Sequence, residues 1–295
     1  MKNSRWVLLA LLLSLPVQAQ PTNETAGGQP LPRESPVPGG IAIIPVAPDS
    51  EPAPEVYFDN RRVLVMPHAG KWQAVVGLSL ALAPGLQSVQ VGEHTKPQRE
   101  FSFAVQPVEY AEQRLTVKER RMVEPSAEDL ERIAREQNII RRVFAAWTDQ
   151  PFSSLQFTPP AQGRISSVFG LRRYFNNQPR QPHSGLDIAG PVGTPVMAPL
   201  AGVVIEVGEY FFNGKTVFLD HGQGLISMFN HLSQIAVKRG ERVGTGDKIG
   251  EIGMTGRVTG PHLHWTISLN DSRVDPALFL PEYFQKNENG QDLQD

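Results

Sequence analysis

Five of the seven histidines in this 295-residue chain lie between residues 183 and 264, and two of them, His262 and His264, are two residues apart. Side chains two apart share a face of a strand, and His262-Leu263-His264-Trp265-Thr266-Ile267 alternates as a strand would. Two imidazoles on one face suit a metal site, although an isolated H-x-H is more often an ordinary solvent-facing pair. The neighbouring segments change that balance. His183-Ser184-Gly185-Leu186-Asp187 adds an imidazole and a carboxylate four residues apart, and Gly185 argues against a helix there. His231, in Phe229-Asn230-His231-Leu232, adds another imidazole, and His221-Gly222 reads as a structural turn histidine. A catalytic zinc site needs three protein ligands and an open position. The chain has no cysteine, so any metal must be held by histidines and carboxylates. Two histidines and one aspartate are a chemically sensible set, with two further imidazoles to spare.

The elements that must position these residues are mostly strands. From about Phe157 the chain reads as short Gly-punctuated runs, including Gly202-Val203-Val204-Ile205-Glu206-Val207 and Lys215-Thr216-Val217-Phe218. Asn213-Gly214, after Tyr210-Phe211-Phe212, is a hairpin signal. Ahead of this half, a helix is predicted from the N-cap Ser126 within 119–150, with Leu130, Ile133, Ile140, Phe144 and Trp147 on one apolar face and Pro151 ending it. Period-two runs such as Val63-Leu64-Val65-Met66 and Phe101-Ser102-Phe103-Ala104-Val105 place a small antiparallel β domain over 55–118. It starts near 39 if Ile41-Ala42-Ile43-Ile44 is its first edge strand. Its His68 and His94 are read as exposed loop residues without ligand partners. Residues 20–54 hold nine of the 26 prolines and read mostly as a stiff linker. The polar stretch 285–295 reads as a disordered tail.

The formal net charge of −2 gives no basic field for nucleic acid. Lys2 and Arg5, an apolar run from Trp6 to Val17, and Val17-Gln18-Ala19 form a signal-peptide pattern over 1–19. That run is too short to span a bilayer, and no other segment approaches spanning length. The expected address is therefore export, to a periplasm or beyond the cell.

The segments Phe169-Gly170-Leu171-Arg172, His183-x-x-x-Asp187, Gly193-Thr194-Pro195-Val196, Asp220-His221-Gly222, His231-Leu232 and Gly260-Pro261-His262-Leu263-His264 resemble, in order and spacing, the LytM/lysostaphin-type zinc metallopeptidases. The resemblance covers roughly 120 residues, within a domain placed at 157–284. It implies a mainly β catalytic domain with a groove over an antiparallel sheet. It also implies one zinc ion held by His183, Asp187 and His264, with His231 and His262 as the catalytic histidines beside it. The implied activity is an endopeptidase that cuts peptide cross-links of peptidoglycan, most plausibly between D-amino acids. In some relatives a preceding Asn is a fourth zinc ligand, and Asn176 and Asn177 occupy that neighbourhood. The family usually carries Tyr where this chain has Phe229. Arg172 and Arg173 are candidates to orient substrate carboxylates, with Arg172 taken forward.

Two other classes compete. A non-catalytic relative that binds peptidoglycan or activates another hydrolase loses one or more of the five residues, and all five are present here. Gly202-Val203-Val204 followed by Gly246-Asp247-Lys248-Ile249-Gly250 resembles the half-motifs of lipoyl and biotinyl carriers, but Lys248 lacks the tight hairpin tip that such a carrier needs. The N-terminal β domain is expected to regulate access to the groove, so that a chain starting near Phe157 would stay active.

Overall fold

The computed structural model describes residues 30–150 and 154–281. The signal-peptide reading at 1–19 and the tail at 285–295 lie outside these residues. Strand is the main regular structure of the described chain, as the alternating patterns predict. The N-terminal half contains β1 (Ile41–Pro48), β2 (Val56–Phe58), β3 (Arg61–Arg62), β4 (Leu64–His68), β5 (Lys71–Gly77), β6 (Gly85–Glu93), β7 (Lys96–Val105) and β8 (Glu112–Leu115). A helix, α1 (Ala127–Phe144), follows. The C-terminal half contains β9 (Arg164–Ser167), β10 (Arg172–Phe175), β11 (Gln178–Pro179), β12 (Leu186–Ala189), β13 (Pro195–Met197), β14 (Gly202–Tyr210), β15 (Gly214–Gly222), β16 (Leu225–Ile235), β17 (Arg242–Val243), β18 (Lys248–Ile252), β19 (His262–Leu269) and β20 (Ser272–Val274).

The first β units are two small antiparallel sheets, β1-β5-β4 and β3-β2-β6-β7. Part of the stretch read as linker is therefore structured. β1 runs for eight residues along β5, and its Ile41, Ala42, Ile44 and Val46 are buried. Two prolines are accommodated because β1 lies at a sheet edge. His94 is exposed at a turn, where it stacks on Tyr57 with ring centroids 4.7 Å apart, whereas His68 is half-buried at the end of β4.

The helix starts as predicted. Ser126 accepts from Asp129 N, and the Asp129 carboxylate accepts in turn from Ser126 N, forming a capping box. It stops at Phe144, earlier than expected from Pro151, and Trp147 lies beyond it in extended chain.

The C-terminal half is one large sheet with the path β17-β14-β15-β16-β19-β12-β9. Alternation gives each strand two different faces. On one face, Leu186, Ile188, Val217, Leu219, Leu225, Phe229, Leu263, Trp265 and Ile267 form the main core. Phe229 is fully buried in that core, so the family's missing tyrosine hydroxyl would not reach the opposite face. The other face carries Asp187, Asn230, His262 and His264, and at one end α1 covers it by packing Val143 and Phe144 on Phe218, Ile226 and Met228.

Ile41, Leu64, Met66 and Val75 of the N-terminal sheet belong to the same core as Trp265 and Leu269. Asn270 secures this junction, accepting from Gly77 N at 2.7 Å and donating to Gly77 O at 3.0 Å. A Cβ on Gly77 would come within 2.7 Å of Leu269 Cβ. The N-terminal sheet is thus built into the back of the large C-terminal sheet through a shared core.

Candidate active site

The sheet register brings the chemistry together. Asp187 on β12 lies opposite His264 on β19, and His264 lies opposite Asn230 on β16. Asp187 also faces Ser167 on β9. His183 precedes β12 in extended chain, so its four-residue spacing from Asp187 puts both on one face. Gly185 between them is required, because a Cβ there would lie 2.8 Å from the His264 ring and 2.5 Å from Trp265 O. His231 has φ 64°, a left-handed conformation rare for a residue with a side chain, at an irregularity in β16. That backbone turn swings its imidazole toward the cleft, and such strain is characteristic of functional positions.

Three ligand-type atoms converge. His183 Nε2 is 2.9 Å from Asp187 Oδ1 and 3.0 Å from His264 Nδ1, and His264 Nδ1 is 2.7 Å from Asp187 Oδ1. The far nitrogens bear on the tautomers through their partners. His183 Nδ1 donates to Val168 O at 2.6 Å, and His264 Nε2 is 3.0 Å from Thr266 Oγ1. Val168 O thus fixes the His183 Nε2 lone pair toward the carboxylate, while the Thr266 hydroxyl, which can donate or accept, lets His264 Nδ1 take either role. A cation bound here would take a lone pair from each of the three atoms, which already lie within about 3 Å of one another. Tetrahedral zinc at its usual bond lengths would spread its ligands to roughly 3.3 Å, a shift of a few tenths of an ångström here. The donor set fits a borderline cation such as zinc.

The second carboxylate oxygen is already engaged. Arg173 Nη2 donates to Asp187 Oδ2 at 2.7 Å and to Ser167 Oγ at 2.9 Å, while its Nε donates to Gln113 Oε1 at 2.9 Å. Gln113 arrives on β8, which runs parallel to β10 in register Gln113↔Arg173. Burial would raise the Asp187 pKa, but the neighbouring His183 and His264 outweigh it and hold the carboxyl well below the usual range. Burial pushes His264 down to about 4, against the pull of Asp187.

The remaining pair flanks this trio. His231 Nδ1 donates to Thr255 O at 2.8 Å and His262 Nδ1 to Gly260 O at 2.9 Å, leaving both Nε2 atoms as acceptors. Their rings lie 4.9 Å apart, and His262 Nε2 is 3.9 Å from Asp187 Oδ1. Burial, then the neighbouring His262 and His264, hold His231 well below its ordinary pKa. A cleft of about 180 Å³ opens above, bounded by Arg173, His183, His231, His264, Phe212 and Arg257.

The structure thus gathers His183, Asp187, His231, His262 and His264. Arg172 stands apart: it is exposed, donates to Tyr110 O at 3.1 Å and lies 3.6 Å from Glu112, beside a different depression. Strand alternation sends Arg173 to the site and Arg172 away from it. Asn176 binds Val117 through both side-chain atoms, which occupies it elsewhere. His221 is buried in β15, between Ala201 O at 2.9 Å and Ser227 Oγ at 2.8 Å. Lys248 opens β18 and pairs with Glu251 at 2.7 Å. The sequence reading missed Gln113, Ser167, Thr266 and Arg257. Thr266 was accessible by its two-residue spacing from His264, whereas Gln113 lies seventy residues upstream with no local signal.

Comparison with known proteins agrees with this geometry. Residues 181–276 match the family model described as Peptidase family M23, and residues 34–107 match its N-terminal domain. A solved Pseudomonas aeruginosa structure assigned to peptidase M23 is 43% identical, with a TM-score of 0.69, covering 83% of this chain and 95% of that one. The peptidoglycan DD-endopeptidase ShyA of Vibrio cholerae is 45% identical over 113 residues, 38% of this chain and 26% of the relative. The DD-carboxypeptidase/endopeptidase Mpg of Neisseria meningitidis serogroup B is 39% identical over 130 residues, 43% of this chain and 30% of the relative. The chain thus spans less than a third of the length of these two curated relatives. Likeness to the Pseudomonas structure over most of both chains, with family matches in the N-terminal and C-terminal halves, places this chain in peptidase family M23.

Proposed function

We propose that this chain is an exported zinc metalloendopeptidase that hydrolyses peptide cross-links of peptidoglycan, between D-amino acids. The observation that carries the reading is the convergence of the ligand-type atoms of His183, Asp187 and His264 beside the imidazoles of His231 and His262. The names of the Vibrio and Neisseria relatives support the substrate class. Export rests on the pattern at 1–19, with the periplasm as the expected location. Among the described residues no helix is long and apolar enough to cross a membrane.

His183, Asp187 and His264 would hold the metal. Zinc, when bound, supplies a Lewis acid that lowers the pKa of water to about 7 and polarises a carbonyl. Arg173 fixes the Asp187 carboxylate by its second oxygen, which leaves Oδ1 directed at the cation. His231 and His262 offer Nε2 acceptors to the cleft. One takes a proton from the attacking water, and the protonated ring then donates it to the departing amine. The other faces the developing oxyanion. Peptidoglycan is the proposed partner.

Purified peptidoglycan digested with the mature protein, with products identified by mass and zinc measured on the same sample, tests this. Opened cross-links are expected, and His264→Ala is expected to lose both zinc and cleavage while keeping its fold. A His264→Ala protein that retained both would overturn the assignment.

A further inference from the structure

Arg257 is the one cleft arginine whose donors are not already spent. Arg173 is committed to Asp187, Ser167 and Gln113, and Arg180 donates to Val123 O at 2.8 Å and to Gln178 and Pro179. Arg257 is half-buried in the cleft wall, and its side-chain polar contact among the described residues is one long approach, Nη1 to Met122 O at 3.5 Å. A guanidinium carries five N–H donors. Two rings confine it: Phe175 and Phe212 lie 4.7 and 4.2 Å from its Cζ by their centroids, so the group offers its edge rather than its faces. Burial, then Arg180 and Arg173, push its pKa down to about 10. Of the two guanidiniums that line the opening, Arg173 is paired with Asp187, and Arg257 has no carboxylate partner among the described residues.

Its position ties it to the reacting centre. Arg257 N donates to Phe212 O at 2.9 Å, and the next carbonyl, Asn213 O, accepts from His231 N at 2.8 Å. Thr255, two residues before Arg257, supplies the carbonyl that holds the His231 ring. An anion on Arg257 would therefore sit next to the bond presented to His231. Edge-on, two-donor recognition matches a carboxylate.

We propose that Arg257 is a carboxylate-recognition subsite, and that the substrate carries a free carboxylate on the residue flanking the bond to be cleaved. This rests on the peptidase reading above. It assigns a specificity role to Arg257, distinct from that of the metal-binding and proton-transfer residues.

The test uses two synthetic peptides of the same sequence with a D-alanyl linkage. One carries a free carboxylate on the residue after that linkage, and the other carries the carboxamide. The zinc-loaded mature chain is expected to prefer the carboxylate form in kcat/KM by on the order of tenfold to a hundredfold. In Arg257→Met, which keeps the apolar stem between the rings, that ratio should fall to near one. In Arg257→Lys, which keeps charge without the fork, it should fall several-fold. Calorimetric titration of both peptides into His262→Ala, slowed in turnover, gives the same comparison by binding alone. Equal cleavage of both peptides by the unaltered chain would overturn the subsite and leave the peptidase reading standing. An undiminished ratio in Arg257→Lys or Arg257→Met would do the same. Tighter binding of the carboxylate form without cleavage of either would sustain the subsite and sink the peptidase reading. No cleavage and no discrimination would sink both.

Discussion

Replacing Asn270 should loosen the two halves of the molecule from one another. Its amide closes two buried hydrogen bonds on Gly77, where β4 has ended and β5 has no other neighbour on that side. Asn270 itself has φ 40°, which asparagine tolerates well. Asn270→Gly keeps the backbone free to adopt that angle and removes both bonds. Each orphaned buried group costs about 1–3 kcal/mol, so the pair amounts to roughly 2–6 kcal/mol. Asn270→Ala adds about 1–2 kcal/mol for the left-handed backbone. A total stability of about 5–15 kcal/mol makes this a large fraction. Thermal unfolding should fall by on the order of 10 °C for Asn270→Gly and further for Asn270→Ala. Because Ile41, Leu64, Met66 and Val75 share one core with Trp265 and Leu269, the transition should stay single. A melting temperature for Asn270→Gly within a degree of the parent would refute the clamp. Two separate transitions in the parent would refute the shared core.

Three further outcomes are expected. Arg173→Met frees Asp187 Oδ2 and should weaken zinc binding by on the order of tenfold to a hundredfold, read by chelator competition, with the fold intact. Unchanged affinity would mean that the arginine does not position the ligand. A chain starting near Phe157 uncovers the surface that four buried N-terminal side chains occupy, a loss of roughly 6–12 kcal/mol. It should be insoluble or unfolded by circular dichroism, and a soluble, active product would favour the idea of a detachable cover. Burial holds His221 at about 4, whereas the unfolded chain takes up that proton near 6.5. Its contribution is complete above pH 6.5 and lost as pH falls toward 4, about 3 kcal/mol in all. Urea titrations at pH 7 and pH 4.5 should show a smaller difference for His221→Gln than for the parent, and equal slopes would rule His221 out.

The candidate site was unusually legible because its residues are local in register. Two-residue spacing placed His262 and His264 on one face, and an extended His183-x-x-x-Asp187 did the same on the neighbouring strand. What stayed hidden depends on contacts between distant segments. Gln113 reaches Arg173 only because β8 pairs in parallel with β10, a choice no local pattern encodes. That Arg173 rather than Arg172 faces Asp187 turns on a one-residue alternation in a four-residue strand, too short to show its phase in the sequence. The hairpin at Asn213-Gly214 is present, but β14 stops at Tyr210. Phe211 and Phe212 leave the ladder, Phe212 to wall the cleft and Phe211 to pack beneath Arg121 and Arg132, a tertiary demand that overrides their strand propensity. Proline density suggested a linker through residue 54, yet β1 is held in place by its buried face.

Three of the cleft imidazoles are oriented by main-chain carbonyls, those of Val168, Thr255 and Gly260. Orientation by backbone is indifferent to the side chains at those positions. Substitutions at Val168 or Thr255 that preserve the local path leave the ring tautomers untouched, while a single-residue insertion beside either would misdirect a histidine without altering any catalytic letter. The vulnerability of this centre lies in loop length rather than loop composition. Variation among related chains should be permissive in the side chains beneath the histidines and strict in the spacing from Thr255 to His262.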